Sequence, residues 1–117
     1  MHVVFIIGPY RSDSICGVVA NIRRAELAAI DVWQLGAVAL CPHKNSSLMD
    51  GMVPDEVFLA GGREMLGRCD ACYLVDGWRD SLGSLEEIGL AASLEIPVAH
   101  SLEELRKVLR GLERYTC

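Results

Sequence analysis

The hydrophobic positions of the chain fall into two patterns that alternate. Four short, uninterrupted apolar segments are typical of strands buried on both faces, at residues 2–7, 37–41, 71–75 and 97–99. Between and after them, apolar residues recur at helical spacing in segments 18–35, 54–68, 84–94 and from residue 101 onward. In the first helix the inward positions are expected to be Val18, Ile22, Ala25, Ala29 and Trp33.

Strands that alternate with helices favour a parallel sheet covered by helices on both faces. We therefore expect one α/β domain over residues 1–117, a three-layer Rossmann/flavodoxin-like sheet of four or five strands. Ligands bind beyond the carboxyl ends of the strands in such sheets. Three polar loops are expected there, starting at residues 8, 42 and 76. The composition of residues 42–54 predicts a loop throughout.

The charge and the apolar content of the chain indicate which kinds of partner it binds. Sixteen acidic and eleven basic residues give a net charge of −5. This disfavours polymeric nucleic acid, whose binding requires many phosphates to be neutralised. No apolar run approaches the roughly 20 residues of a membrane span, and no leader pattern precedes the first strand, so we expect a cytoplasmic protein without membrane contact. Because 51% of 117 residues are hydrophobic, a homodimer or higher homo-oligomer is expected.

The cysteines favour free structural thiols over a disulfide or metal framework. Their number is odd: Cys16, Cys41, Cys69, Cys72 and Cys117. Cys69 and Cys72 have the spacing of half a zinc site or of a redox motif, but no second pair follows. Because Cys72 falls within an apolar segment, no metal and no other cofactor is expected. A redox protein built on this pair is a less favoured alternative.

The polar segment that leads into the third long helix carries the most chemistry. Ser81 and Ser84 stand where unpaired helix N–H groups can hold an anion or a hydroxyl group. Gly83 permits close approach of a ligand to the backbone. Glu86 and Glu87 point about 100° apart on the helix, so that one can face a cleft while the other faces solvent. Both acids could instead simply complement the helix dipole.

Several short motifs occur in order along residues 3–98: Phe5-Ile6-Ile7-Gly8-Pro9-Tyr10-Arg11, Asn21-Ile22 with Ala25, Cys41-Pro42-His43-Lys44-Asn45, Cys69-Asp70-Ala71, Gly77-Trp78 with Ser81-x-Gly83-x-x-x-Glu87-x-Gly89-x-Ala91, and Ile96-Pro97-Val98. With them the chain resembles the nucleoside 2-deoxyribosyltransferase-like superfamily, in particular a small, poorly characterised branch of bacteria and phages. Segment 81–91 is the most specific part, and it also resembles the deoxynucleoside 5′-monophosphate N-glycosidases.

The resemblance implies a reaction at the N-glycosidic bond of a (deoxy)nucleoside or nucleoside 5′-monophosphate. The glutamate four residues after the glycine is the nucleophile of the superfamily, which implies this role for Glu87. A carboxylate there forms a glycosyl ester that water or a second base resolves. The resemblance further implies that the substrate is bound by Gly8, Pro9, Tyr10, Arg11, His43, Asn45, Trp78, Asp80, Ser81 and Gly83.

Simpler structural roles exist for four of these residues. Arg11 could be a solvated loop residue, although together with the helix terminus at Ser81 it favours a nucleotide over a nucleoside. His43 could brace its loop, and Trp78 could pack in the core or an interface. Ser81 could serve only as a helix cap.

One position departs from the family pattern. Members of the superfamily commonly have an aspartate eight residues ahead of the aspartate that corresponds to Asp70, where it assists base departure or orients the substrate. This chain has Gly62 at that place. The substitutes available in the sequence are Asp50, Asp55, Glu64 and Asp80. Without a substitute the chain would be a slow enzyme, an enzyme that acts on a different leaving group, or a nucleotide-binding module that has lost catalysis.

Overall fold

The structure, a computed structural model, describes residues 1–113. Its elements are β1 (Val3–Ile7), α1 (Ile15–Gln34), β2 (Val38–Leu40), α2 (Pro42–Asn45), α3 (Asp55–Gly67), β3 (Ala71–Leu74), α4 (Leu82–Ser93), β4 (Val98–Ala99) and α5 (Leu102–Glu113). All four strands are parallel, in the order β2-β1-β3-β4. The α/β fold with a parallel, Rossmann/flavodoxin-like sheet is therefore confirmed, with four strands.

The central strand β1 is buried on both faces and divides the core in two. Val4 and Ile6 point to one face, where helices α1 and α5 pack, and Phe5 and Ile7 point to the other, where α3 and α4 pack. All four side chains are fully buried. Burial of one such side chain contributes about 1.5–3 kcal/mol to the free energy of unfolding. Within residues 1–113, no helix is both long enough and apolar enough to cross a membrane.

Helix α1 differs from its prediction at both ends. It begins at Ile15 rather than residue 18, because the side chain of Ser14 accepts a hydrogen bond from the amide of Gly17 and caps it. Near its end Val32, not Trp33, completes the buried stripe. The Trp33 side chain lies at the margin of that stripe and is 53% exposed.

Two further local predictions were wrong. Residues 42–45 form the single helical turn α2, which starts at Pro42, whereas the composition of this segment predicted a loop. Proline suits the first helical position because that position needs no N–H donor. Helix α4 begins at Leu82, two residues earlier than expected, because the side chain of Ser81 accepts a hydrogen bond from the amide of Ser84 and caps it.

The carboxyl ends of β1 and β3 approach each other closely at the switch point of the sheet. A Cβ atom on Gly8 would lie 2.7 Å from Cβ of Val75, so only glycine fits there without a shift. Gly77 has a left-handed backbone with φ of +95°, and a Cβ on it would lie 3.2 Å from Pro9. Chain connections on either side of such a point diverge and leave a crevice for a ligand.

Candidate functional site

A cavity of about 560 Å³ opens at this crevice. Its walls come from the loop after β1, from α2 and α3, and from the start of α4. Nine of the eleven residues predicted for the site line this cavity: Gly8, Pro9, Tyr10, Arg11, His43, Asp80, Ser81, Gly83 and Glu87. Parallel topology is the reason, since it brings the carboxyl ends of distant strands to one edge.

Two predicted residues lie outside the cavity. Asn45 is exposed at the end of α2. Trp78 packs on the core beneath α4, with its ring edge-on to that of His100 at a centroid distance of 5.8 Å. The guanidinium of Arg79 lies 4.5 Å above the Trp78 ring. This position corresponds to the packing role, rather than to contact with a ligand.

Glu87 lies in the second turn of α4 and faces the cavity. Burial, and secondly the charge of Glu86, raises the pKa of Glu87 to about 7. Its carboxyl group accepts no hydrogen bond from the part of the chain that the structure describes. A carboxyl group in this state exists in both protonation forms near neutral pH, and its ionised form has a high-energy, poorly solvated charge. Such a carboxylate is suited to attack an electrophilic carbon.

The loop after β1 is held by hydrogen bonds from two directions. Nε2 of His43 lies 3.0 Å from the carbonyl oxygens of both Gly8 and Pro9. The side-chain amide of Asn21 donates to the carbonyl oxygens of Tyr10 at 3.0 Å and of Arg11 at 3.3 Å. These bonds fix the backbone that presents Tyr10 and Arg11 to the cavity.

His43 is neutral in this setting. Nε2 carries the proton because it faces two carbonyl acceptors, and burial lowers the pKa of the ring. Nδ1 is then an acceptor, and it is buried without a hydrogen-bond partner within residues 1–113. The contacts of His43 are those of a brace for the loop after β1.

The polar side chains of that loop are paired with acids from the other wall of the cavity. The Tyr10 hydroxyl donates to Oδ1 of Asp50 at 2.7 Å and accepts from the amide of Leu48 at 3.1 Å. The Arg11 guanidinium lies 2.9 Å from Oδ2 of Asp55, at the first turn of α3. Arg11 thus has a defined partner, but 75% of its side chain is exposed to solvent, as the simpler alternative of a solvated loop residue expects.

Ser81 and Ser84 form the start of α4. The amide of Ser84 donates to Oγ of Ser81 at 3.2 Å, and its hydroxyl donates to the same oxygen at 2.9 Å. Ser81 is thus a helix cap, and it also lines the cavity. Ser84 is 1% exposed and is the buried polar residue that supports the cap.

Gly62 stands where members of the superfamily commonly have an aspartate, and the structure shows which other acids lie near this position. Gly62 lines the cavity, and a Cβ atom built on it would meet nothing within 4 Å. Of the four possible substitutes, Asp50, Asp55 and Asp80 line the cavity. Glu64 does not, and its carboxylate contacts Arg68 instead. Asp50 and Asp55 are engaged by Tyr10 and Arg11, which leaves Asp80 as the lining aspartate without a side-chain partner within residues 1–113.

Sequence reasoning overlooked the contribution of α3 to the cavity. Phe58, Leu59 and Arg63 line it together with Asp55 and Gly62. Residues 55, 58, 59 and 62 have the i, i+3, i+4, i+7 spacing of one helix face, so the signal was present in the sequence. It was not recognised because the aspartate and glycine of this face interrupt its apolar pattern.

The cysteines among residues 1–113 have the features of structural thiols. Cys16, Cys41, Cys69 and Cys72 are free thiols, whereas Cys117 lies outside the described residues. Burial raises the pKa of Cys69 to about 11 and that of Cys72 to about 12, so that neither forms the reactive thiolate at neutral pH. Within residues 1–113, no three His, Cys, Asp or Glu side chains are grouped as metal ligands.

Comparison with known proteins places the domain in a family. None of the curated proteins compared with the chain matches it. One family model matches residues 2–101, a stretch that contains the whole sheet and every residue that lines the cavity. The chain therefore belongs to the family described as "Domain of unknown function (DUF7768)".

Proposed function

We propose that this protein cleaves or transfers the N-glycosidic bond of a (deoxy)nucleoside or nucleoside 5′-monophosphate. The observation that carries the proposal is the Glu87 carboxyl group, which faces a cavity of about 560 Å³ without a hydrogen-bond partner among the described residues. A cavity of this volume accommodates a ligand of nucleoside size. The resemblance of segment 81–91 to nucleoside-processing enzymes supports the same reaction.

The proposed reaction proceeds in two displacements at C1′. An oxygen of Glu87 bonds to C1′ while the bond from C1′ to the base nitrogen breaks, and the bonding pair leaves with the base. The departing base nitrogen takes up a proton from solvent. Water or a second base then attacks C1′ and gives up a proton to solvent while the bond from C1′ to Glu87 breaks, so that two inversions give overall retention.

The test is a base-release assay with matched variants. Deoxynucleosides, ribonucleosides and their 5′-monophosphates are incubated with the protein, with and without acceptor bases, and free base is followed by chromatography. Glu87→Gln keeps the shape but removes the nucleophile, and we expect a loss of at least about 10²-fold in rate. Glu64→Gln, which removes a carboxylate that does not line the cavity, serves as the control. Equal inactivity of wild type and Glu87→Gln on every substrate would refute the proposal. A transferase, unlike a hydrolase, requires the added base.

A second candidate function is a nucleotide-binding module without catalysis. It is favoured by Gly62, because the wall of the cavity has no carboxylate at the place where members of the superfamily have an aspartate. In that case ligands would raise the melting temperature of wild type and Glu87→Ala alike, and no base would be released from any of them.

We also propose that the protein is a cytoplasmic homodimer or higher homo-oligomer. Large apolar side chains are exposed on α1, including Ile30 and Trp33, and around the cavity, including Leu48, Met52 and Leu82. Contiguous exposed apolar surface commonly marks an interface. A monomeric mass by light scattering at working concentration would contradict this proposal.

A further inference from the structure

The cavity is lined by an excess of negative charge. Five carboxyl groups line it, from Asp50, Asp55, Asp80, Glu86 and Glu87, against the guanidinium groups of Arg11 and Arg63. His43 adds no positive charge because it is neutral. The amino end of α4 contributes about half a positive charge. A group with two negative charges would therefore meet net repulsion at this site.

The two side chains of the loop after β1 that could bind a phosphate, Tyr10 and Arg11, already have carboxylate partners. Arg11, the best donor on this loop, lies 2.9 Å from the Asp55 carboxylate. The hydroxyl of Tyr10 donates to Asp50. The Asp55 carboxylate neutralises the charge of the Arg11 guanidinium, so a phosphate that reached the exposed N–H donors of Arg11 would still meet the Asp55 charge beside them.

We infer that the site selects an uncharged nucleoside over its 5′-monophosphate, and that Asp55 sets this selectivity by occupying Arg11. The inference rests on the proposed function and narrows its substrate class. It differs from the expectation that Arg11 and the helix terminus favour a nucleotide. The difference arises from the ion pair, which joins residues 44 positions apart in the chain.

The test compares two variants that remove the same charge from the cavity. Asp55→Asn frees Arg11, whereas Glu86→Gln leaves the ion pair intact. Both are made in the Glu87→Gln background so that ligands are not consumed, and the four deoxynucleosides and their 5′-monophosphates are titrated by calorimetry. We expect the parent to bind nucleosides more tightly. Asp55→Asn should strengthen monophosphate binding about five- to tenfold, and Glu86→Gln about twofold or less.

Two controls attribute the effect to Arg11. The gain of Asp55→Asn should disappear when Arg11→Ala is added, and it should shrink at high salt because an exposed charge pair is screened. Inorganic phosphate alone should raise the melting temperature of Asp55→Asn but not that of wild type. Tighter binding of the monophosphate by the parent, or equal gains in Asp55→Asn and Glu86→Gln, would overturn the inference.

The failure of this inference is distinguishable from the failure of the proposed function. Base release from monophosphates in preference to nucleosides would refute the selectivity and leave the glycosidase intact. Absence of base release from every substrate would refute the glycosidase, whereas the phosphate titration would still report whether Asp55 blocks Arg11.

Discussion

Nε2 of His43 lies 3.0 Å from the carbonyl oxygen of Gly8, and through this contact helix α2 holds the loop that carries most of the predicted site. The two residues are 35 positions apart in the chain. They meet because β1 and β2 are parallel neighbours whose carboxyl ends lie side by side. The His43 ring is buried, so loss of its Nε2–H donor would leave the carbonyl oxygens of Gly8 and Pro9 without this hydrogen bond.

This contact predicts a graded effect of substitution at position 43. His43→Ala should lower the free energy of unfolding by about 2–4 kcal/mol, since it removes a buried ring and its hydrogen bonds. His43→Gln should lose less, because its side-chain amide can still donate. Urea denaturation at pH 8 measures both. Equal losses in the two variants would show that the ring, rather than its donor, holds the loop.

The raised pKa of Glu87 predicts a pH-dependent penalty on stability. The pKa rises from 4.5 to about 7 on folding, so between these values the folded state binds more protons than the unfolded state. The contribution of Glu87 to stability is therefore most favourable below pH 4.5 and becomes less favourable as the pH rises to about 7. Glu87→Gln lacks this penalty.

The measurement is urea denaturation of wild type and Glu87→Gln from pH 4.5 to 8. The difference in free energy of unfolding between Glu87→Gln and wild type should grow in favour of the variant by up to about 3 kcal/mol as the pH rises to about 7, and then stay constant. The other titratable groups are present in both proteins, so that their contributions largely cancel in the difference. A difference that does not change with pH would contradict burial of the Glu87 charge.

The open space at Gly62 predicts a gain of activity. Gly62→Asp would add a carboxylate to the cavity wall without a steric clash, and a positioned acid contributes about 10²–10⁴-fold to rate. We expect faster base release from nucleosides. Gly61→Asp is the matched control, because Gly61 also has nothing within 4 Å of its Cβ position but does not line the cavity. Equal rates in the two variants would argue against a role for an acid at position 62.

Two glycines with different surroundings, one between the ends of β1 and β3 and one in helix α4, should respond in opposite ways to substitution by alanine. Gly8→Ala places a methyl group 2.7 Å from Cβ of Val75 and should lower the free energy of unfolding by about 1–3 kcal/mol. Gly89→Ala, within helix α4 and with nothing within 4 Å, should raise it by about 0.5–1 kcal/mol. Thermal denaturation of both variants measures the effect. A stable Gly8→Ala variant would mean that the strand ends can separate without cost.

The hydrophobic pattern by itself was sufficient for the sheet and its helices. Val4 and Ile6 on one face of β1, with Phe5 and Ile7 on the other, make a strand apolar on both sides, and only a sheet covered on both faces buries it. The loop at Gly8 and the start of α4 were also predictable as parts of the site, since parallel strands direct their carboxyl ends to one edge. The choice of Glu87 over Glu86 rested on the resemblance to the superfamily.

Pairings between distant residues were decided only by the tertiary structure. The contact of Arg11 with Asp55, of Tyr10 with Asp50 and of His43 with Gly8 each depends on how α2 and α3 pack against the sheet. Local spacing carries no information about such contacts. The raised pKa of Glu87 was also decided by the tertiary structure, because burial of the side chain raises it. A sequence pattern specifies neither how deeply a side chain is buried nor which charges face it.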